Sequence, residues 1–127
     1  MISFPYQKNI LGEFFPIIEL NATYKRAAIR INTLVDSGAT VSVFKTQVAQ
    51  FLKLPIESGK EIYIGGVGGR IKGYLHNLEF EIANKMFIAP VIFSYEYTVS
   101  LNLLGRSAIF KHFRIMFDEK NLKVVFE

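Results

Sequence analysis

Phenylalanine, isoleucine and valine recur in runs of about four to eight residues broken by Gly, Asn, Lys and Pro, and this punctuation constrains the chain most. Aromatic and β-branched side chains suit a pleated, half-buried surface, so the composition is that of strands rather than helices. Strands are expected over Glu13 to Leu20, Arg26 to Val35, Glu61 to Gly65, Arg70 to Ala83, Met86 to Phe93, Arg114 to Phe117 and Leu122 to Phe126. Asn84-Lys85 and Glu119-Lys120-Asn121 are the expected hairpin turns. Apolar and charged residues alternate from Leu78 to Ile82, which directs Leu78, Phe80 and Ile82 to the core and Glu79 and Glu81 to water. Two short helices are expected: Lys45 to Leu52, with Val48, Phe51 and Leu52 on one face, and Ser107 to Phe113, with Ile109, Phe110 and Phe113 inward.

No linker, repeat or low-complexity segment interrupts the chain, so residues 1–127 are read as a single all-β domain with one or two short helices. Half of the residues are hydrophobic, enough for a core without covalent staples. There is no cysteine, hence no disulfide framework and no thiolate metal site. The formal charge of +4 is scattered, with only small clusters at Lys25-Arg26 and Lys111-His112-Phe113-Arg114, and the concentrated basic face of a nucleic-acid binder is missing. The apolar runs fall far short of the roughly 20 residues of a spanning helix, and the N-terminus lacks a basic segment followed by an apolar one. The expectation is a soluble, cytoplasmic protein with no nucleic-acid or membrane partner. Asn21-Ala22-Thr23 matches a glycosylation sequon that would matter only in a secreted protein.

Chemistry concentrates in three segments. In Thr33-Leu34-Val35-Asp36-Ser37-Gly38-Ala39-Thr40 an apolar run ends on a carboxylate in a turn of small residues. The hydroxyl after the acid can donate a hydrogen bond within the loop, and Gly38 leaves room for a second backbone to approach. The second segment, Ile64-Gly65-Gly66-Val67-Gly68-Gly69-Arg70-Ile71-Lys72-Gly73, has four glycines in the five residues 65–69. A phosphate loop would need a following helix and a Lys-Ser/Thr pair, and neither is present. Alternating residues on both sides point instead to a hairpin with a glycine-rich tip, suited to close over an extended ligand. The third segment, Asn102-Leu103-Leu104-Gly105-Arg106, leads an apolar pair and a glycine towards the second short helix.

In this order the three segments resemble the retroviral-type (retropepsin-like) aspartic proteases, over roughly Thr33 to Phe117. That family's pattern of apolar-apolar-Asp-Thr/Ser-Gly-Ala, a flap, then apolar-apolar-Gly-Arg is matched by Leu34 to Ala39, Gly65 to Gly69 and Leu103 to Arg106. The resemblance implies a retropepsin-like acid-protease fold with a flap hairpin, acting as a symmetric dimer. It implies Asp36 as the catalytic carboxylate, Ser37 as the hydroxyl of interlocked loops at the dyad, and Gly38 as acceptor of a substrate backbone hydrogen bond. Ala39 and Arg106 would support the active-site loop, and Ile64, Gly65, Gly66, Val67, Gly68 and Gly69 would form the substrate-binding flap. The only other aspartate, Asp118, sits in Phe117-Asp118-Glu119-Lys120-Asn121 and reads as a plain turn. The second carboxylate must therefore come from Asp36 of a second copy.

The implied activity is an aspartic endopeptidase that activates water between two Asp36 carboxylates of a homodimer, with a polypeptide substrate and neither cofactor nor metal. The alternative is a catalytically silent fold of this type that binds peptides or assembles. Two departures stand out. Family members usually carry an aspartate soon after the Asp-Thr/Ser-Gly-Ala run to pair with the arginine, whereas here Thr40-Val41-Ser42-Val43 leaves Arg106 without an obvious partner. The chain is also longer before Asp36 and has an additional strand at Leu122 to Phe126, so a dimer of the usual kind, held by interleaved termini, need not apply. His76 and His112 are isolated and read as surface or half-buried side chains, and Phe14-Phe15, Phe87 and Phe93 as core and dimer surface. Glu13, Glu19 and Glu96 are assigned no chemistry.

Overall fold

The computed structural model describes residues 1–66 and 68–127; Val67, expected at the flap tip, lies outside the described residues. Twelve strands are described: β1 (Ile2–Pro5), β2 (Gln7–Lys8), β3 (Phe14–Phe15), β4 (Ile17–Tyr24), β5 (Ala27–Val35), β6 (Ser42–Phe44), β7 (Lys60–Gly66), β8 (Gly69–Ile82), β9 (Lys85–Phe93), β10 (Asn102–Leu104), β11 (Ile115–Asp118) and β12 (Lys123–Phe126), with one α-helix, α1 (Thr46–Leu52). Seven strands form one sheet in the order β4-β5-β10-β6-β9-β8-β7. A further pairing of β4 with β8, Asn21 opposite Glu81 and Thr23 opposite Glu79, closes that sheet on itself. No helix among the described residues is long and apolar enough to cross a membrane.

The closed sheet encloses the core. Leu78, Phe80 and Ile82 point inward with Ile18, Leu20, Ala22, Ala89 and Val91, while Glu79 and Glu81 are exposed, so the period-two alternation reads correctly. Phe44 is fully buried at the centre and meets the edges of Phe80 and Phe93 at centroid distances of 5.8 and 6.4 Å. Edge-to-face geometry places the positive rim of one ring against the negative face of another and adds to simple burial. The β8–β9 turn falls at Ala83-Asn84, one residue before the expected Asn84-Lys85, with φ of +48° and +67° at the two positions.

Three expectations are corrected. The strand expected over Glu13 to Leu20 breaks at Pro16, which lacks an N–H: Phe14–Phe15 pairs with Gln7–Lys8 in a separate ribbon, and β4 runs on to Tyr24. The helix expected over Ser107 to Phe113 shrinks to a single 3-10 turn at Phe110–His112, because Ala108 adopts a left-handed φ of +60° that no right-handed helix can include. Ile109 is nevertheless buried, and Phe110 and Phe113 pack against the core. In α1 the inward face is Val48, Ala49 and Leu52, while Phe51 is 61% exposed.

The termini form a second sheet, β1-β12-β11, inside the one chain. Phe126 anchors it, meeting Phe4 at 5.7 Å and Phe113 at 5.0 Å. Tyr6 follows β1; its N–H donates to the Leu122 carbonyl at 2.8 Å and its hydroxyl to Glu119 Oε1 at 2.7 Å.

Phe44→Ala should cost about 3–5 kcal/mol in chemical denaturation, because two aromatic partners lose their common neighbour. Burial, followed by the bond to Glu119, pushes the Tyr6 phenol up from 10.0 to about 12. The fold thus holds the neutral phenol: its contribution is intact below the unfolded value and is lost as pH rises through the folded one. Stability measured by denaturant titration should fall between about pH 10 and 12, and less so in Tyr6→Phe.

Candidate active site

β5 delivers Asp36. The Val35 N–H donates to the Pro16 carbonyl at 2.9 Å and the Asp36 N–H to the Leu104 carbonyl at 3.0 Å, so the last residue of the strand is held by a segment on either side. The chain then turns tightly: the Ala39 N–H reaches the Asp36 carbonyl at 3.2 Å, and the Gly38 N–H donates to Asp36 Oδ1 at 2.9 Å. Asp36 is half-buried, while Ser37 and Gly38 are exposed. A side chain at position 38 would begin 3.3 Å from Asp36 Oδ1, which is tight and explains the glycine beside the acid.

The turn rests on β10 and the residues after it. β10 runs parallel to β5, with Leu104 opposite Val35, and antiparallel to β6, with Leu103 opposite Val43. Asn102 braces the strand: its Oδ1 accepts the Lys45 N–H at 2.8 Å and its Nδ2 donates to the Asn32 carbonyl at 3.1 Å. The Gly105 N–H donates to Ser42 Oγ at 2.9 Å, and a Cβ on Gly105 would collide with the Val41 carbonyl group. The Arg106 and Ser107 N–H groups donate to the Ala39 and Thr40 carbonyls at 2.9 and 2.7 Å. Arg106 therefore meets the turn through its main chain; its side chain is exposed and, among the described residues, makes no ion pair or hydrogen bond.

The glycine segment is a hairpin of β7 and β8, with Ile64 opposite Ile71, Gly65 opposite Arg70 and Gly66 opposite Gly69. Gly68 and Gly69 have φ of +99° and +120°, which side-chain-bearing residues avoid. Ile64 is half-buried, while Gly65, Gly66, Gly68 and Gly69 are exposed to open space. Below the tip the Arg70 guanidinium lies over the Tyr63 ring at 4.7 Å.

Residues 94–101, to which the sequence assigned no chemistry, brace the β8 side of the hairpin. The Lys72 N–H donates to Glu96 Oε2 at 3.0 Å, and Ser94 Oγ donates to the Lys72 carbonyl, so two side chains hold both polar atoms of one β8 residue. Tyr97 donates its hydroxyl to the Leu101 carbonyl at 2.6 Å. Burial, reinforced by the nearby negative charge of Asp36, pushes its phenol up to about 12 and keeps it a neutral donor. Isolated Ser, Glu and Tyr carry no motif, and only the register of β8 against this segment reveals them. A polar Asn102 opening an apolar run was the one legible clue to the bracing.

The histidines stand apart from this site. His76 Nε2 bonds to the Ile56 carbonyl at 2.7 Å, and His112 stacks on Phe87 at 4.4 Å. Asp118 is tied into its own turn by Asn121 at 2.9 and 3.1 Å. Concavities lined by Phe4, Glu19, Arg30 and Asn84, and by Ile29, Val48, Phe51 and Leu101, include neither Asp36 nor the glycine hairpin.

Residues 13–113 match the model of the retroviral aspartyl protease family. The chain belongs to that family. The fold agrees with a retropepsin-like aspartic protease from Rickettsia conorii (TM-score 0.69, 20% identity, 98% of this chain and 99% of that one covered). It is also similar to the EIAV protease complexed with the inhibitor HBY-793 (TM-score 0.57, 21% identity, 79% and 88% covered). No curated protein matches the chain by sequence. Family and fold together support aspartic protease activity in general terms, with polypeptides as the class of substrate.

The bond from the Lys72 amide to Glu96 is charge-assisted, which makes it stronger than a neutral one. Glu96→Ala should raise hydrogen exchange at the Lys72 amide by roughly tenfold, while the β8–β9 ladder keeps its protection; mass spectrometry of overlapping peptides reads both.

Proposed function

We propose that the protein is an aspartic endopeptidase working as a homodimer, with Asp36 of each copy contributing one carboxylate. The supporting observation is the Asp36 turn: a single acid, half-buried at the end of β5, clamped from behind by the backbone of residues 104–107 and built on the same closed sheet as the glycine-rich hairpin. Two carboxylates about 3 Å apart cannot both ionise cheaply, so the pair retains one proton. The ionised member takes a proton from water as the water attacks the scissile carbonyl, and the protonated member hydrogen-bonds the carbonyl oxygen and supplies a proton.

In this reading Ser37 contributes its hydroxyl where the two Asp36 turns meet, and Ala39 and Arg106 carry the turn through the bond between their main chains. The Gly38 carbonyl accepts a hydrogen bond from the substrate backbone. Ile64, Gly65, Gly66, Val67, Gly68 and Gly69 form a flap that closes on the peptide, which lies extended and bonds through its main chain as an added strand would. Gly65, Gly66, Gly68 and Gly69 carry no side chain to shield their main-chain groups from a peptide. A chain without cysteine functions unchanged in a reducing compartment, and the cytoplasm is the proposed location.

Cleavage of casein or a peptide library should follow a bell-shaped profile within roughly pH 3 to 7, be inhibited by pepstatin and fall at least about a thousandfold in Asp36→Asn with unchanged thermal stability. Full activity in that variant, or cleavage indifferent to pepstatin, would remove the mechanism. A folded, dimeric protein that binds peptides without cutting them would identify the silent binding module instead.

A further inference from the structure

We propose that the tip of the β2–β3 hairpin is the arm by which one copy of this chain grips a second, while the C-terminal strand β12 stays paired within its own chain. The inference deepens the reading of Asp36 as half of a two-carboxylate site. A single chain holds one such acid, since Asp118 is bound into a turn with Asn121, and so the site is incomplete without a second copy meeting the Asp36 turn.

The termini are already engaged. β12 is paired along both edges, with β1 from Ile2↔Phe126 to Pro5↔Lys123 and with β11 from Ile115↔Phe126 to Asp118↔Lys123. Its ladder is complete within one chain and has no edge left for a partner's strand.

The hairpin sits where an arm is needed. β3 leads into Pro16, whose carbonyl accepts the Val35 N–H, so the base of the hairpin is bonded to the residue immediately before Asp36. Its tip displays Ile10 at 100% exposure and Leu11 at 80%, with Phe14 at 43% beside them. Adjacent large apolar side chains so fully in water are costly in a lone chain. The tip is nonetheless fixed: Asn9 Oδ1 accepts the Leu11 and Glu13 N–H groups at 3.0 and 2.8 Å, the Asn9 N–H donates to the Glu13 carbonyl at 2.8 Å, and Gly12 turns the chain at a φ of +83°. A preordered apolar knob loses little conformational freedom on docking. Twofold symmetry would bury two such knobs in each dimer.

Sedimentation equilibrium should show wild-type protein dimerising, and the double variant Ile10→Asp, Leu11→Asp with its dissociation constant raised at least about a hundredfold. Circular dichroism and thermal unfolding should match the wild type, because the altered side chains touch little. Met116→Glu, on the exposed edge of β11, should dimerise normally. A double variant that dimerises like the wild type, an effect confined to Met116→Glu, or a wild type monomeric at every concentration would overturn the arm. Proteolysis assayed on the same samples separates this from the catalytic reading. An active wild type whose dimer ignores the tip refutes the arm alone; an inactive wild type whose dimer the tip variants dissolve supports the arm and refutes catalysis.

Discussion

The backbone clamp beneath Asp36 is the constraint on which the remainder depends. A turn of Asp, Ser, Gly and Ala has no side chains large enough to hold itself in place, so its main chain must be fixed by a neighbour. That neighbour is the stretch from Leu104 to Ser107, whose carbonyl and N–H groups meet Asp36, Ala39 and Thr40 in turn. The approach is close enough that Gly105 cannot carry a Cβ against Val41. Just beyond the clamp Ala108 takes a φ of +60°, and only a 3-10 turn follows where the second helix was expected.

The clamp is stiff because both of its strands lie inside the sheet. β10 lies between β5 and β6, and buried polar side chains on the same strands, Thr33, Ser42 and Asn102, have hydrogen-bond partners there. An unpaired polar group at such a depth would cost far more than a typical hydrogen bond contributes, so the arrangement tolerates few alternatives. The closure of β4 onto β8 ties the sheet neighbour of β5, the strand that delivers Asp36, to the long strand whose other end is the glycine hairpin. The carboxylate turn and the hairpin are thus built on one closed sheet.

Much of this was legible in the chain. Alternation from Leu78 to Ile82 assigned inside and outside correctly, and the strands beginning near Arg26, Glu61, Arg70 and Met86 lie within a few residues of where they were expected. The Asp36, glycine and Leu-Leu-Gly-Arg segments stood out because each needs small residues at set spacing. Less visible were the short strands β1, β2, β6 and β10, whose two to four residues carry no period, and which exist because longer partners hydrogen-bond to them. Phe51 faces outward because the buried face of α1 is centred between Val48, Ala49 and Leu52, and about 3.6 residues per turn carry position 51 to its flank.

By itself the sequence determined the strand-rich class, the family pattern and the presence of one usable aspartate, for these follow from local periodicity and from which residues a turn can accept. Tertiary structure decided which backbone clamps Asp36, that Ser94 and Glu96 hold the Lys72 peptide groups, that Arg106 meets the turn through its main chain and that the termini pair within the chain. Those are contacts between residues far apart in the chain, set by strand order and register, and no local spacing encodes them.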